Sequence, residues 1–349
     1  MMVSRTLSQS RYFLILFALI PLLLSIMHYY KKSNLLNNIF PYHNRDNILI
    51  KIFEINDRLP TYKLVTYQGY EFPLKRNRAQ TVLINHLKLH EKCQQNPNTT
   101  VFDIGASLGN TIFNKFLFPY IFKSYFMKEK REILYFLGEF GLYAAACGCQ
   151  VYMFEIEPRK LSLIEKSITI NKFESRVHLM KKAVSDLKSN TTVYFSKNSS
   201  SQLPPTNHHK NQAIYRGETI NLNDYPFSSS IYLFRVDVQG HELHVFRSTE
   251  KLFRRHLINH VIFEYTSWGT PKTVHQDIFQ YMKLILGAKT FYALHPKEPI
   301  IYGPLNDNDL NEFYSQHHQQ HLQRDVYALF KGEQLSISAS PYNFSSSFK

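Results

Sequence analysis

The chain has 349 residues, of which 44% are hydrophobic, so it can bury a sizeable core within one large α/β domain. Its formal net charge is +14, but the Lys and Arg residues are spread along the chain, without zinc-finger spacing or an aromatic RNA-binding signature. We therefore expect no nucleic-acid partner. The three cysteines, Cys93, Cys147 and Cys149, cannot all pair, which argues against a disulfide framework or a zinc site and favours buried thiols for at least two of them.

The first element along the chain is an apolar segment, residues 12–30, which contains no Asp, Glu, Lys or Arg. A helix over these residues is about 28 Å long, close to the thickness of the thin bilayer of the early secretory pathway. A cleaved signal peptide is the alternative, but its apolar region ends in small residues, whereas this one ends in His28-Tyr-Tyr-Lys-Lys32. We predict a transmembrane signal anchor, preceded by a short cytosolic tail (1–11) and followed by a stem (31–47).

Basic residues flank the anchor on both sides, so charge alone leaves its orientation open. Four N-x-[S/T] triplets lie downstream, at Asn98, Asn190, Asn198 and Asn343, and such triplets accept N-linked glycans in secreted proteins. They favour a single-pass type II protein of the endoplasmic reticulum or Golgi whose C-terminal part is lumenal.

Residues 48–94 are predicted to form an N-terminal extension. The segments Tyr62–Tyr67 and 70–74 flank Gln68-Gly69 and predict a β-hairpin. Apolar residues recur at helical spacing over 79–92, which predicts a helix.

An alternation of strands and helices begins near residue 95. Strands are predicted over 100–104, 151–155, 177–180, 231–237 and 260–264, and helices over 158–171 and 242–252. This order implies a mainly parallel sheet with helices on both faces, which binds ligands at the carboxyl ends of its strands. One antiparallel strand is expected near the C-terminus, with 287–294 at that edge, while 196–212 is predicted as a loop and 333–349 as a polar tail.

The first predicted strand runs into Asp103-Ile-Gly-Ala-Ser-Leu-Gly109, and its two glycines permit a tight turn and close backbone approach to a ligand. The second strand ends in Glu155, an acid suited to binding two ribose hydroxyls. The loop lacks the third glycine of G-x-G-x-x-G, and no P-loop lysine follows it. An adenosyl ligand without a pyrophosphate therefore fits better than NAD or ATP.

Six segments in order make the pattern specific, and the chain resembles the FkbM family of S-adenosylmethionine-dependent methyltransferases over roughly residues 95–295. The matching segments are Val101–Gly109, Val151–Pro158, Lys182–Asp186, Glu218–Tyr225, Phe234–Leu243 and Val261–Glu264. The resemblance implies a Rossmann-like class I methyltransferase fold, with a mostly parallel doubly wound sheet, over 95–332. It also implies S-adenosylmethionine as cofactor.

The resemblance further implies roles for single residues. The methionine part of the cofactor would lie against the glycine loop, the ribose against Glu155 and the adenine near Asp186. The loop residues concerned are Asp103, Gly105, Ala106 and Gly109.

Transfer of a methyl group to a hydroxyl needs an in-line approach and loss of the hydroxyl proton, which a nearby carboxylate or imidazole can accept. The candidates are Asp237, His241, Glu242 and Glu264, of which Asp237 would face the transferred methyl by resemblance. Glu242 has an alternative role as a helix cap, and Glu264 as a buttress of Asp237. No metal site is predicted, because His317 and His321 have ligand spacing without a supporting Glu or Cys and fit a solvated polar helix face better.

The segment 110–138 is anomalous. Phe, Tyr, Lys, Ile and Asn fill 18 of its 29 positions, and joining Gly109 to Glu139 restores an ordinary family sequence. Structureless loops of this length are uncommon in compact domains. Our hypothesis is an unspliced intron carried into the protein sequence, and the alternative is a genuine lid or membrane-touching loop.

The expected function is S-adenosylmethionine-dependent O-methylation of a hydroxyl, on a glycan, a small molecule or another secretory-pathway substrate. The segment 110–138, together with Gln239 and His241, which replace the family's usual Glu and small residue, motivates an alternative. In that reading the protein is a catalytically inactive, membrane-anchored binding protein. A nucleic-acid methyltransferase is disfavoured because the base-methylating tetrapeptide N/D-P-P-Y is absent.

Overall fold

The computed structural model describes residues 50–67, 78–105, 138–196, 199–203, 213–238, 240–266, 278–320 and 322–335. Several predictions fall outside these residues: the tail, anchor and stem, the strand at 70–74, the loop residues Ala106 and Gly109, and nearly all of 110–138. Gln239, His321, two of the four glycosylation triplets and most of the polar tail also lie outside them. Among the residues that are described, no helix is both long and apolar enough to cross a membrane.

The described chain contains fourteen strands and seven α-helices. The strands are β1 (Ile50–Ile55), β2 (Tyr62–Tyr67), β3 (Thr100–Ile104), β4 (Gln150–Phe154), β5 (Val177–Met180), β6 (Ala183–Val184), β7 (Thr192–Ser196), β8 (Ser199–Leu203), β9 (Ala213–Ile220), β10 (Ile231–Val236), β11 (Ile258–Thr266), β12 (Thr290–Leu294), β13 (Ile301–Tyr302) and β14 (Gln323–Leu329). The helices are α1 (Arg78–His86), α2 (Leu89–Gln95), α3 (Glu139–Cys147), α4 (Pro158–Asn171), α5 (Glu242–Arg247), α6 (Glu250–Arg254) and α7 (Asp307–Gln320), with a π-helix at Met282–Leu286.

Eight strands form the central sheet in the order β13-β12-β14-β11-β10-β3-β4-β5. The five strands from β11 to β5 are parallel, which confirms the predicted core of the sheet. Strands β14, β12 and β13 join by antiparallel pairing, so β14 and β13 run opposite to the parallel strands and β12 runs with them. Two strands are therefore reversed where the sequence predicted one. The chain winds outward from β3 to β5 and then resumes at β10 on the other side of β3. The ends of β3 and β10 therefore form the switch point at which such sheets bind ligands.

Apolar side chains cover both faces of this sheet, as a doubly wound fold requires. Successive residues of β3 point to opposite faces, so Phe102 belongs to one core cluster and Val101 to the other. The Phe102 cluster packs under α5, α6 and α7. The Val101 cluster packs under α1 to α4 and the hairpin of β1 and β2.

Helix α4 occupies the predicted residues, with Pro158 in its first turn. The other two predicted helices are each divided in two. Lys88 adopts a left-handed conformation with φ of 51°, which separates α1 from α2. Between α5 and α6, the hydroxyls of Ser248 and Thr249 donate to carbonyls of the preceding turn and so compete with helix continuation.

Strand β2 pairs with the upstream strand β1, with Ile55 opposite Tyr62, so a hairpin that was not predicted from the sequence lies before Tyr62. The predicted pairing of Tyr62–Tyr67 with 70–74 lies partly outside the described residues and stays a prediction. One prediction was wrong. The predicted loop 196–212 contains β8, which pairs with β7 in a second sheet of order β6-β9-β7-β8. Its Ser-rich sequence resembles a loop, but pairing with β7 satisfies its backbone hydrogen bonds.

The cysteine prediction also needs correction. Cys93 and Cys149 form a disulfide across 56 positions of sequence, and only Cys147 is a buried free thiol. Helix α2 places Cys93 beside the start of β4, a proximity that spacing along the chain cannot reveal.

His317 is buried rather than solvated, since it stacks on Phe313 with ring centroids 3.8 Å apart. Burial lowers the pKa of His317 to about 3, so the ring is neutral. Within the described ranges, no group of three His, Cys, Asp or Glu residues is arranged to hold a metal ion.

Candidate active site

A glycine turn brings the ends of β3 and β10 into contact. Gly105 has φ of 74°, and a Cβ at this position would lie 1.9 Å from the carbonyl oxygen of Asp237. The Gly105 amide donates to the Phe154 carbonyl at 3.0 Å, and the Asp237 amide donates to the Ile104 carbonyl at 2.9 Å. Only glycine fits here, and its missing side chain leaves a backbone surface at the carboxyl end of the sheet.

Beneath this turn lies a buried ion-pair network centred on Arg235. Its Nη1 lies 2.8 Å from Asp103 Oδ1, and its Nη2 lies 2.8 Å from Asp237 Oδ2. The second oxygen of Asp103 accepts a hydrogen bond of 3.0 Å from the Gly141 amide in α3. Asp103 therefore ties β3 to β10 and to the first turn of α3, beneath the position where the resemblance places the cofactor's methionine part.

Burial and charge act in opposite directions on this network. Burial raises the pKa of Asp103, and Arg235 opposes that shift. Burial acts to lower the pKa of Arg235, but the charges of Asp103 and Asp237 outweigh it and raise the pKa above its ordinary value. The guanidinium therefore stays charged, and its paired donors fix the orientation of the Asp237 carboxyl.

Glu264 lies in β11 opposite Asp325 of β14 and belongs to the same electrostatic environment. Burial, reinforced by the charges of Asp237, Asp325 and Glu242, raises the pKa of Glu264 well above its ordinary value, while Arg235 acts to lower it. Like charges buried together cannot all ionise, so Glu264 is a carboxyl that retains a proton readily.

Glu242 is buried at the start of α5, and its Oε1 accepts hydrogen bonds from the amides of Gly240 at 3.0 Å and Val238 at 3.3 Å. Burial raises its pKa to about 7, against the effect of these hydrogen bonds. The role of Glu242 is therefore structural, but it holds the loop that follows Asp237 rather than capping α5.

His241 lies beside a second polar cluster rather than beside Arg235. Its ring centroid is 5.6 Å from that of His244, and burial lowers the pKa of His241 to about 4, so it is neutral at pH 7. His244 Nδ1 is 2.9 Å from Asp186 Oδ1, and Arg247 is 4.0 Å from Asp186 Oδ2. Burial acts to raise the pKa of Asp186, but His244 and Arg247 overcome it, and the pKa is lowered.

Glu155 follows β4, on the other side of the glycine turn. It is 7% exposed, and its Oε1 accepts from the amides of Ile156 at 2.7 Å and Glu157 at 2.9 Å. Burial raises its pKa, with Lys160 acting in the opposite direction. A buried carboxylate in this position suits a ligand that donates hydrogen bonds, such as a vicinal diol.

Residues 103–289, more than half of the 349-residue chain, match the methyltransferase FkbM domain. The chain belongs to the FkbM methyltransferase family. It is therefore an S-adenosylmethionine-dependent methyltransferase. No curated protein matches the chain in sequence.

Solved structures that align with this FkbM protein do so at low identity. The T. thermophilus 16S rRNA N2 G1207 methyltransferase (RsmC), in complex with AdoMet and guanosine, is 9% identical with a TM-score of 0.36, over 82% of this chain and 52% of its own. The METTL16 MTase domain is 8% identical with a TM-score of 0.38, over 75% of this chain and 73% of its own. WbdD in complex with the kinase inhibitor LY294002 is 11% identical with a TM-score of 0.38, over 74% and 42%. This chain thus spans about half the length of the first and less than half of the last.

The described residues of the FkbM domain fit the cofactor. Gly105 lets the backbone of Asp237 approach the end of β3, where the cofactor would lie, and Glu155 offers a buried acceptor for the ribose hydroxyls. Two carboxyls, those of Asp103 and Asp237, share the single guanidinium of Arg235, and this arrangement suits a cationic sulfonium.

The structure brings the predicted site residues into two groups. Asp103 and Asp237 pair with Arg235, and Glu242 and Glu264 share the electrostatic environment of Asp237. His241 and Asp186 lie together with His244. Glu155 lies apart from both groups, after β4. Sequence reasoning missed His244, Arg247 and Arg235. The helical spacing of His241, His244 and Arg247 was the available signal for the first two, and the position of Arg235 two residues before Asp237, on the same strand face, was the signal for the third.

Proposed function

We propose that the protein transfers a methyl group to a hydroxyl oxygen, on a glycan or another substrate of the secretory pathway. The observation that carries this proposal is the placement of Asp237. Its carboxyl is buried at the end of β10, held by Arg235, and lies directly after the strand that contacts the glycine turn. A fixed carboxylate at this point is suited to accept the proton that a hydroxyl must lose.

The proposed reaction needs one proton acceptor, which this chain supplies. The cofactor, when bound, supplies an electrophilic methyl group on a positively charged sulfur. At the acceptor, the hydroxyl oxygen bonds to the methyl carbon, and the carbon–sulfur bond breaks with its electron pair left on sulfur. The hydroxyl proton passes to Asp237. Arg235 holds Oδ2 of this carboxyl at 2.8 Å and so fixes its position before the acceptor binds.

The other three candidates are less suited to take this proton directly. Glu242 is occupied by the backbone amides of its loop. His241 has a pKa of about 4, which makes it a weak base, and it sits beside His244. Glu264 lies among the same charges as Asp237, and its raised pKa suits a secondary site to which the proton can pass.

Three observations support a lumenal location. The apolar segment 12–30 suits an anchor. The Cys93–Cys149 disulfide is typical of an oxidising compartment. The acceptor asparagines of two glycosylation triplets, Asn98 and Asn190, are exposed. The net charge of +14 suits an acidic glycan as acceptor.

A transfer assay tests the proposal. The full chain, purified from a secretory expression host, is incubated with methyl-labelled cofactor and a panel of hydroxyl acceptors that includes acidic and neutral glycans. We expect label in an ether linkage and a fall in kcat of about 10²- to 10⁴-fold in Asp237→Asn, with cofactor affinity kept within a few-fold. Asp307→Asn removes an exposed carboxylate that pairs with Lys283 and should leave kcat unchanged.

The alternative function, an inactive binding protein, is distinguished by the same experiment. Cofactor binding by the wild-type chain without label transfer to any hydroxyl, nitrogen or carbon acceptor would favour it. Transfer to nitrogen alone would retain the enzyme but contradict the hydroxyl acceptor.

A further inference from the structure

The hairpin of β1 and β2 lies outside the family-matched residues 103–289, yet its turn reaches the helix that follows the glycine turn. Arg58, in that turn, places Nη2 2.6 Å from Glu139 Oε1. The Tyr62 hydroxyl donates to the same oxygen at 3.1 Å. Glu139 is the first residue of α3, so the hairpin contacts the helix at the end nearest the cofactor.

Arg58 is held on several sides. Its guanidinium carbon is 3.6 Å from the centre of the Tyr143 ring, one turn further along α3, and Nη2 donates to the Tyr62 hydroxyl at 3.0 Å. The Arg58 and Glu139 side chains are only 16% and 10% exposed. Burial acts to lower the pKa of Arg58, but Glu139 and Tyr62 raise it above its ordinary value, so the guanidinium stays charged. Because the planar guanidinium of Arg58 both stacks on Tyr143 and pairs with Glu139, it fixes the direction as well as the distance of the Glu139 carboxyl.

This pair is continuous with the network beneath the glycine turn. Gly141, two residues after Glu139, donates its amide to Asp103 at 3.0 Å, and Asp103 pairs with Arg235, which pairs with Asp237. The first turn of α3 is therefore held from the hairpin by Arg58 and from the sheet by Asp103.

We propose that Arg58 is a positioning residue for cofactor binding, which sets the first turn of α3 against Asp103 and makes the N-terminal hairpin part of the cofactor-binding frame. The inference rests on the methyltransferase activity and extends it to a segment outside the family domain. Removing the guanidinium takes away the cation 2.6 Å from Glu139 Oε1 and the group that stacks on Tyr143, so the first turn of α3 loses two contacts with the hairpin and can shift. The substitution Arg58→Lys keeps the positive charge but removes the planar set of N–H donors and the stacking on Tyr143.

The test measures cofactor affinity in the full chain. S-adenosylmethionine and its demethylated product are titrated calorimetrically into wild type, Arg58→Met, Arg58→Lys, Glu139→Gln and the Arg58→Met/Glu139→Gln double variant. We expect Kd for both ligands to rise about 10- to 100-fold in Arg58→Met, as displacements near 1 Å typically cause. The increase should be smaller in Arg58→Lys, and the double variant should be no worse than Arg58→Met. Arg78→Met removes an exposed arginine of the same N-terminal region, which pairs with Glu298 at 3.8 Å, and should leave Kd unchanged.

A second readout separates positioning from simple stabilisation. Hydrogen exchange of the α3 amides should be faster in Arg58→Met than in wild type, and saturating cofactor should restore it. A lower Tm with unchanged Kd in Arg58→Met would overturn the inference. If Arg58→Met does not fold, the test uses Arg58→Lys and Glu139→Gln instead. A Kd for S-adenosylmethionine equal to that of wild type in both variants would overturn the inference. A wild-type chain that binds neither ligand would instead count against the cofactor assignment, which distinguishes the two failures.

Discussion

Asp103 and Gly141 are joined by a hydrogen bond of 3.0 Å, although 38 positions of sequence separate them. Without the segment 110–138, residues 106–109 alone would lead from Gly105 to α3, and this length is typical of a strand-to-helix loop. Gly138, directly before α3, has φ of 69°, and a Cβ there would lie 2.8 Å from Met153 Cε. Deletion of 110–138 places Gly109 directly before Glu139, where Gly138 stands in the full chain. The shortened chain therefore still has a glycine at the position that needs a positive φ.

The deletion of 110–138 should therefore preserve the fold and strengthen cofactor binding. We expect a far-ultraviolet spectrum of the same shape, an equal or higher Tm and a lower Kd for S-adenosylmethionine. Calorimetric titration of the full chain and the deleted chain measures this. An unfolded deletion variant, or transcripts that contain these codons in most reads, would contradict the intron hypothesis.

Gly105→Ala should abolish cofactor binding and destabilise the fold. The added Cβ meets the Asp237 carbonyl at 1.9 Å and also incurs the cost of a positive φ, about 1–3 kcal/mol for the backbone alone. Gly287→Ala is a matched control, because Gly287 has φ of 84° but a Cβ added there meets nothing within 4 Å among the described parts of the chain. Denaturant unfolding should show a larger loss for Gly105→Ala, and equal losses would mean that the contact with Asp237 is unimportant.

Glu242 should make stability fall as pH rises from about 4.5 to about 7. Its pKa is raised from 4.5 in the unfolded chain to about 7, so the folded state binds more protons than the unfolded state in this window. The loss is on the order of 3 kcal/mol once the pH exceeds the folded pKa. Glu242→Gln keeps the acceptor oxygen for the loop amides and should flatten this part of the profile. Urea unfolding at a series of pH values measures it, and an unchanged slope would show that Glu242 titrates normally.

The Cys93–Cys149 disulfide should stabilise the domain by about 2–4 kcal/mol. Cys93→Ser should lower the free energy of unfolding by this amount in oxidising buffer, and reductant should lower that of wild type similarly. Cys147→Ser changes the buried free thiol and should leave the effect of reductant intact. Equal behaviour of wild type and Cys93→Ser toward reductant would contradict the bridge.

Glycosylation of Asn98 and Asn190 tests the lumenal location. Both residues are exposed in turns that precede strands, so a glycan at either is compatible with the folded domain. In a secretory host, Asn98→Gln and Asn190→Gln should each remove one glycosidase-sensitive step in electrophoretic mobility. Asn308→Gln, an exposed asparagine outside any acceptor triplet, should not. A wild-type chain whose mobility is insensitive to glycosidase would contradict the lumenal orientation.

Local chemistry explains how much of this protein could be predicted from sequence. Strands β3 and β5 and helix α4 occupy the predicted residues, because burial periodicity, Pro158 at a helix start and a glycine after a strand are features of neighbouring residues. The acids at the ends of β4 and β10 were likewise recognisable from an ordered set of short motifs.

The tertiary structure alone decided which of these groups meet. Arg235 pairs with Asp103 on the neighbouring parallel strand, and Arg58 pairs with Glu139, which lies 81 positions further along the sequence. Cys93 forms a disulfide with Cys149. Glu242 holds the preceding loop through the Gly240 amide, and His317 lies in the core, because neighbouring elements bury both side chains. The sequence by itself determined the order of the main strands and helices and the family to which the chain belongs. Partner choice, burial and the resulting pKa values depend on long-range packing, which no local pattern encodes.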